Sequence, residues 1–137
     1  MPSMSQREME AFLRQPRVAV FSTVRPDGTL HSAPVWFEYE QGKFYFWTGS
    51  TSVKARNIER HAETSACIAT HDEPYRYVSA GGPVETIAGD IADRCLSICR
   101  RYFSEERARA FVQDDLIAAD SVILVMTPRT LVTENSA

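Results

Sequence analysis

Apolar residues alternate with polar ones over several short runs, and a helical period appears only in brief stretches between them. The first stretch opens on Ser5-Gln-Arg-Glu8, a capping box, and predicts a helix from Gln6 to Arg14 that Pro16 ends. Arg17 to Val24, rich in Val and Phe, predicts a strand. Pro26-Asp-Gly-Thr29 is a turn, because proline presets one φ and glycine accepts a positive one. Leu30 to Tyr39 reads as a second strand, turning at Gln41-Gly42 into a third, Lys43 to Thr48. These two successive hairpins predict a meander. In Phe44-Tyr-Phe-Trp47 aromatics occupy both faces, so neither face of that strand is expected to be fully wet.

Gly49-Ser-Thr-Ser52 breaks the alternation, and a helix is predicted from Val53 to Arg60, capped by one of the preceding hydroxyls. Thr64 to Thr70 is a fourth strand and Tyr75 to Ile87 a fifth, with a bulge or bend expected at Gly81-Gly-Pro83. Asp90 to Phe103 and Glu105 to Asp115 read as helices. Ser121 to Thr127 and Thr130 to Glu134 close the series as the last strands. The pattern predicts six or seven mostly sequential strands with helices inserted singly, and short links favour antiparallel pairing. Two architectures satisfy it: a closed barrel, which removes exposed edges, or an open sheet with helices on one face.

The 137 residues make one domain's worth of chain, 44% apolar and 24% charged, which excludes a disordered chain. A net charge of −3 gives no global footprint for nucleic acid. The polar N-terminus lacks the apolar core of a signal peptide, and the longest apolar run, Val122 to Met126, is too short to span a bilayer. The expected location is the cytoplasm, with no membrane partner. Three cysteines without zinc-type spacing (Cys67, Cys95, Cys99) read as small buried hydrophobes.

The chemistry concentrates in Thr48 to Asn57. A strand end feeds a helix N-terminus, which offers unpaired N–H donors and partial positive charge. Ser50, Thr51 and Ser52 add hydroxyls, Lys54 and Arg56 add full charges, and Asn57 adds an amide. Lys54 acts as a point charge, whereas Arg56 can grip two phosphate oxygens. Together they form an anion site; an ordinary solvated helix end would use the same residues. No glycine-rich Walker or Rossmann loop is present, so a nucleotide phosphate would be held in a different way.

The runs Arg17-Val-Ala-Val-Phe-Ser-Thr-Val-Arg-Pro-Asp-Gly28, Ala33-Pro-Val-Trp-Phe37, Gly42-Lys-Phe-Tyr-Phe-Trp-Thr-Gly49, Ser52-Val-Lys-Ala-Arg-Asn57 and Pro74-Tyr-Arg-Tyr-Val78 together resemble the flavin/deazaflavin oxidoreductases. These belong to the pyridoxamine 5'-phosphate oxidase-like superfamily, and the branch containing coenzyme F-420-dependent reductases is the most similar. The resemblance spans Arg17 to Ile87. It implies a mainly β fold with a few helices, a split β-barrel forming a homodimer with cofactor grooves at the interface. It implies that Lys54, Arg56 and Asn57 bind the cofactor phosphate, with Ser52 or Thr51 assisting. By the same resemblance Ala33, Pro34, Val35 and Trp36 flank the isoalloxazine ring, Ser22 and Thr23 lie nearby, and Tyr75 to Tyr77 face the pocket. The substrate-phosphate residues and C-terminal signature of pyridoxamine phosphate oxidase itself are missing.

In such a site the ring supplies the redox chemistry and the protein supplies placement. Backbone N–H groups beside Pro34, which has none, would bond the ring's polar edge. Trp36, Phe37 and Trp47 are expected to line a dry cavity, although strand alternation leaves Phe37 and Trp47 equally open to core packing. Of the scattered His31, His61 and His71, only His31 lies near the flanking strand. No metal cluster or hydrolase motif is apparent. The expected function is hydride transfer from reduced F-420 to a small unsaturated or quinone-like acceptor. The alternatives are an FMN-binding oxidoreductase and a non-catalytic binder of flavin, deazaflavin, haem or tetrapyrrole.

Overall fold

The computed structural model describes residues 3–113 and 120–136. Its elements run α1 (Gln6–Arg14), β1 (Ala19–Val24), β2 (Leu30–Val35), β3 (Phe37–Glu40), β4 (Lys43–Gly49), α2 (Val53–Arg60), β5 (Glu63–Ala69), β6 (Arg76–Ile87), α3 (Ala92–Cys99), α4 (Glu105–Gln113), β7 (Ser121–Met126) and β8 (Thr130–Asn135). The two capped helices match the sequence expectation at both ends. Ser5 and Glu8 close the capping box reciprocally at 3.1 Å each, and the Ser52 hydroxyl accepts the Ala55 N–H at 3.1 Å. The two later helices are trimmed: α3 is shorter than Asp90–Phe103, and the last two positions expected for α4, Asp114 and Asp115, lie outside the described residues.

All strand pairs are antiparallel, as expected, but their order is not a meander. The sheet runs β2-β1-β5-β6-β7-β4-β3, with β8 also on β6. The single strand expected over Leu30–Tyr39 is divided at Trp36. Its halves, β2 and β3, stand at opposite ends of the sheet although one residue separates them in sequence. A sheet whose two ends lie one residue apart must curl until they meet, and this produces the split β-barrel. The physical reason for the break lies at Phe37. Its N–H donates to the Tyr102 hydroxyl at 3.2 Å and its carbonyl accepts from Arg101 Nε at 2.8 Å. These side chains satisfy the edge of β3 where a continuing ladder otherwise would.

The bend expected at Gly81-Gly-Pro83 is present as an exchange of partners within one long strand. β6 pairs with β5 as far as Pro83 and with β7 from Val84 onward. The crossing is tight, since a Cβ on Gly82 would come within 2.2 Å of the Thr127 carbonyl oxygen.

Phe21, Phe37, Phe44 and Phe46 fill the barrel, with Phe21 and Phe46 tilted at 4.8 Å. Met9, Phe12 and Leu13 of α1 and Ala55 and Ile58 of α2 add to the same core. A second cluster lies outside the barrel. There Ile91, Cys95 and Ile98 of α3 cover Ile123 and Val125 of β7, with Tyr45 and Trp47 packed alongside. β7 is therefore buried on both faces, and the aromatics on both faces of β4 are sheltered as expected. Cys95 and Cys99 are buried, and desolvation pushes their thiols up to about 12 and about 11. Among the described residues no helix is long and apolar enough to cross a membrane.

Because backbone, not a flexible side chain, opposes any Cβ at the crossing, Gly82→Ala is expected to destabilise the fold by about 1–3 kcal/mol. Denaturant unfolding of the variant measures this, and an unchanged midpoint would contradict the packing described.

Candidate functional site

Where the curled sheet meets itself, a cleft of about 430 Å³ opens beside Trp36. Its walls come from Val18 ahead of β1, Pro34, Val35 and Trp36, Trp47 to Gly49 of β4, Lys54 of α2, Phe111 of α4 and Ser121 of β7. The pairing Gly49↔Ser121 brings the last strand of the wall to the end of β4, just before the turn into α2.

Part of the cleft's lining is aromatic. Tyr102 stacks on Trp36 with centroids 4.5 Å apart and planes 9° from parallel, and Phe103 meets Trp36 edge-on at 5.0 Å. Phe111 stands edge-on to Trp47 at 5.7 Å and tilted against Trp36 at 6.4 Å. The Tyr102 ring is itself anchored, since its hydroxyl donates to the Arg17 carbonyl at 2.7 Å and accepts from Phe37 N–H. Trp36 thus owes its orientation to a fixed neighbour.

The lining also carries polar groups and one cation, Lys54. The Lys54 ammonium is half-buried, desolvation lowers its pKa below the ordinary lysine value, and it has no ion-pair partner among the described residues. A charge in that condition is stabilised by any anion that enters. Ser52 Oγ accepts from both Ala55 N–H and Thr48 Oγ1, at 3.1 Å each, so its own proton remains available to a ligand.

The residues singled out in sequence fall into three groups. Pro34, Val35, Trp36 and Lys54 line the cleft together. Ser52, Thr51 and Arg56 lie on the turn and helix beside it, with Thr51 and Arg56 exposed. The rest are engaged elsewhere. Asn57 is 3% exposed; its Nδ2 donates to Thr23 Oγ1 at 3.0 Å and its Oδ1 accepts from Arg60 at 3.2 Å. Both residues thereby bolt α2 to β1. Ser22 bonds Ser32 across the outer face of β1 and β2 at 2.8 Å, and Ala33 pairs with Phe21.

Phe37, expected as lining, is wholly buried in the barrel core with Val35, because the alternation runs on through Trp36 and turns both odd-numbered neighbours inward. Tyr75 and Tyr77 contact each other at 5.9 Å near β8 and do not line the cleft of this chain. His31, five residues before Trp36, lies about 17 Å from it along an extended strand and takes no part in the lining.

Val18, Phe111 and Ser121 were not foreseen as site residues, and Thr48 and Gly49 entered only as the start of the Thr48 to Asn57 stretch. Ala108, Phe111 and Val112 form an ordinary apolar helix stripe, which reads as core. Ser121 enters only through a pairing across more than half the chain. Phe111 belongs to that stripe and joins the site only through where α4 lies.

The sequence from residue 5 to residue 133 matches the family model described as pyridoxamine 5'-phosphate oxidase, and the chain belongs to that family. Among solved structures the chain is similar to one described as an F420 reductase, at 28% identity and TM-score 0.73, over 89% of this chain and 94% of that one. It is also similar to the conserved hypothetical protein Rv2991 from Mycobacterium tuberculosis, at 24% identity and TM-score 0.83, over 97% and 86% of the two chains. A third is the FAD and heme binding protein from Mycobacterium smegmatis, at 17% identity and TM-score 0.80, over 98% and 72%. At their lower identities the last two speak for the fold alone. No curated protein matches the sequence.

Asn57→Ala would leave Thr23 Oγ1 buried without its donor, so a loss of about 1–3 kcal/mol in folding stability is expected. Equilibrium unfolding tests this; stability equal to the parent chain's would show that the Thr23 bond does not hold α2.

Proposed function

We propose that this chain binds a phosphate-bearing flavin-type cofactor in the Trp36–Lys54 cleft. As a homodimer it then transfers hydride from reduced coenzyme F-420 to a small unsaturated or quinone-like acceptor. The observation that carries this reading is a half-buried Lys54 ammonium, with no ion-pair partner among the described residues, in a cleft whose lining also holds a cluster of rings. The residues fit such a cofactor. Lys54, with Arg56, the Ser52 proton and Thr51, would take the phosphate, while Asn57 and Thr23 hold α2 so that those groups stay in register. Val35, Trp36 and their neighbours Ala33 and Pro34 would flank the ring system.

When bound, the cofactor supplies the redox step: two electrons and one proton pass as hydride to an electron-poor C=C or C=O carbon, and solvent supplies the second proton. The chain's own contribution is placement. The anion end fixes one terminus of the ligand, the Trp36 wall sets its height in the cleft, and Trp47 and Phe111 keep water from the reacting face. Similarity to the F420 reductase supports F-420 over other flavins. One observation favours a second reading, a non-catalytic binder. Lys54 is the sole ionisable side chain among the described residues lining the cleft, so the chain brings no proton donor to the aromatic end.

The second copy has a natural seat. Pro34, Val20, Cys67, Ser79 and Val132 form one row across five strands, and Ser32, Ser22, Ser65, Gly81 and Thr130 form the next. Neither row carries a charge, and Val20 and Val132 are 48% and 55% exposed. Pro34 belongs both to this face and to the cleft, so a copy docked there would add a wall to the groove.

Replacing Lys54 and Arg56 together by alanine is expected to weaken cofactor binding by about 2–4 kcal/mol. Titration with F-420 and FMN, followed by absorbance and fluorescence, measures this. Unchanged affinity for both would remove the assigned phosphate end. Mass and visible spectra of the ligand carried by the native protein distinguish the two cofactors, and turnover against acceptors separates an enzyme from a binder. Light scattering is expected to show a dimer at micromolar concentration, and Val20→Asp to push it toward monomer; a monomeric parent chain would refute the docking face.

A further inference from the structure

Away from the Trp36 cleft, a second cavity of about 180 Å³ lies between one face of α1 and the paired ends of β6 and β8. Glu8, Phe12 and Gln15 recur at helical spacing along that face, and Arg76 and Asn135, a cross-strand pair, complete the wall. Strand alternation turns Arg76 to the same side of β6 as the buried Val78 and Ala80. None of these residues borders the Trp36 cleft.

Two opposite charges line this cavity without meeting. Glu8 accepts the Ser5 N–H at 3.1 Å on one oxygen and Asn135 Nδ2 at 3.2 Å on the other. The Ser5 backbone bond first, and then the side-chain bonds, hold its carboxyl below the ordinary glutamate range, so it stays charged. Each oxygen keeps a lone pair for a further donor. Arg76 forms no ion pair with Glu8 or with any other carboxylate among the described residues. Its Nε is buried with no hydrogen-bond partner, and its guanidinium carbon lies 6.0 Å from the centroid of the Phe12 ring. Arg17 reaches the same ring at 4.9 Å, and its Nε is likewise buried and unpartnered. Gln15 Oε1 accepts from Arg17, which leaves the Gln15 amide N–H groups free to donate. A buried donor without an acceptor costs stability, so a purely structural position would favour an apolar side chain of the same length at Arg76. A guanidinium retained there, in one cavity with a fixed carboxylate, matches a ligand that carries both charges. A simple anion would be repelled by Glu8, and a simple cation by Arg76 and Arg17.

We propose that this cavity binds a compact zwitterion of the α-amino acid class. Its carboxylate meets the Arg76 guanidinium and a Gln15 N–H, and its ammonium donates to Glu8. A small side chain would rest on Ala11 and Phe12, which supply the apolar part of the wall. Such a ligand ties α1 to β6, two elements that share no ion pair of their own. The site stands apart from the proposed redox function, since it uses neither Lys54 nor the rings of the Trp36 cleft.

The test titrates the full chain by calorimetry with three probes: L-alanine, propionate (which lacks its ammonium) and ethylamine (which lacks its carboxylate). L-alanine is expected to bind saturably, and each of the other two at least about tenfold more weakly, the loss of one charge-assisted contact. Two conservative variants keep the fold. Glu8→Gln preserves the capping box, and Arg76→Met keeps an unbranched stem beside Phe12. Each is expected to weaken L-alanine at least about tenfold. Without ligand, Arg76→Met is expected to unfold at the parent's midpoint or above it, because a buried unpaired donor has been removed. No saturable binding of L-alanine at tens of millimolar overturns the proposal, as does propionate or ethylamine binding as tightly as L-alanine. Variants that bind L-alanine like the parent chain also overturn it. So does an Arg76→Met chain that is folded but clearly less stable, which would show that the arginine serves the fold. Failure here leaves the Lys54 assignment standing, and failure of the Lys54/Arg56 titration leaves this one standing.

Discussion

The structure depends on how the chain is held at the turn of one residue, Trp36. The Arg101 guanidinium bonds the carbonyls of Leu13, Arg14, Gln15 and Phe37, all between 2.8 and 3.1 Å, and the adjacent Tyr102 hydroxyl joins Arg17 to Phe37. Two consecutive side chains at the end of α3 thereby satisfy the free carbonyls ending α1 and the open edge of β3. They also decide which way the indole points. If this pair were absent, β2 could continue into β3 as one strand, the sheet would lose its reason to curl, and the cleft would have no corner to form in. The hydrogen bonds are individually modest, about 1 kcal/mol each, with those from a charged guanidinium somewhat stronger. Their importance is that all of them fail together.

The starts of α1 and α2 were legible because their caps are local: Ser5 with Glu8, and Ser52 with Ala55, need no distant partner, whereas α3 has no side-chain cap to mark its start. The turns at Gly28 and Gly42 were legible for the same reason, as both glycines take positive φ. The strand order was not legible from periodicity. An alternating run says which face is buried, not which strand lies beside it, and β4 has its sequence neighbour β3 on one side but the distant β7 on the other. The break at Trp36 was hidden for a related reason. Nothing local stops a strand at Ala33-Pro-Val-Trp-Phe37, and the groups that stop it lie some 65 positions further on. It was the family resemblance that supplied the split barrel where the pattern left two architectures open.

The site was legible in part. A basic turn leading into a helix identified the Lys54 end, since helix N-termini and cations advertise themselves locally. Asn57 and Thr23, which look like ligand groups in sequence, are tied to each other inside the fold. Polar side chains near a helix start can serve the ligand or the helix, and burial separates the two roles. The aromatic wall was half visible: Trp36 and Trp47 belong to recognisable strand motifs, but Phe111 acquires its meaning only from where α4 lies.

The position of β7 bears on how the molecule comes into being. This strand fills the gap between β6 and β4, and both of its faces are buried, yet it is made after either partner. During synthesis the β1-β2 and β3-β4 hairpins and the β5-β6 pair can form as they emerge, but they stay separate pieces with an apolar seam between them. Phe44 and Phe46 on that seam remain uncovered until Val122, Leu124 and Met126 arrive. Such a molecule joins late and over long sequence distances, which makes for slow folding and an interval of vulnerability to self-association. A nascent chain of this design has reason to meet a chaperone before its sheet is closed.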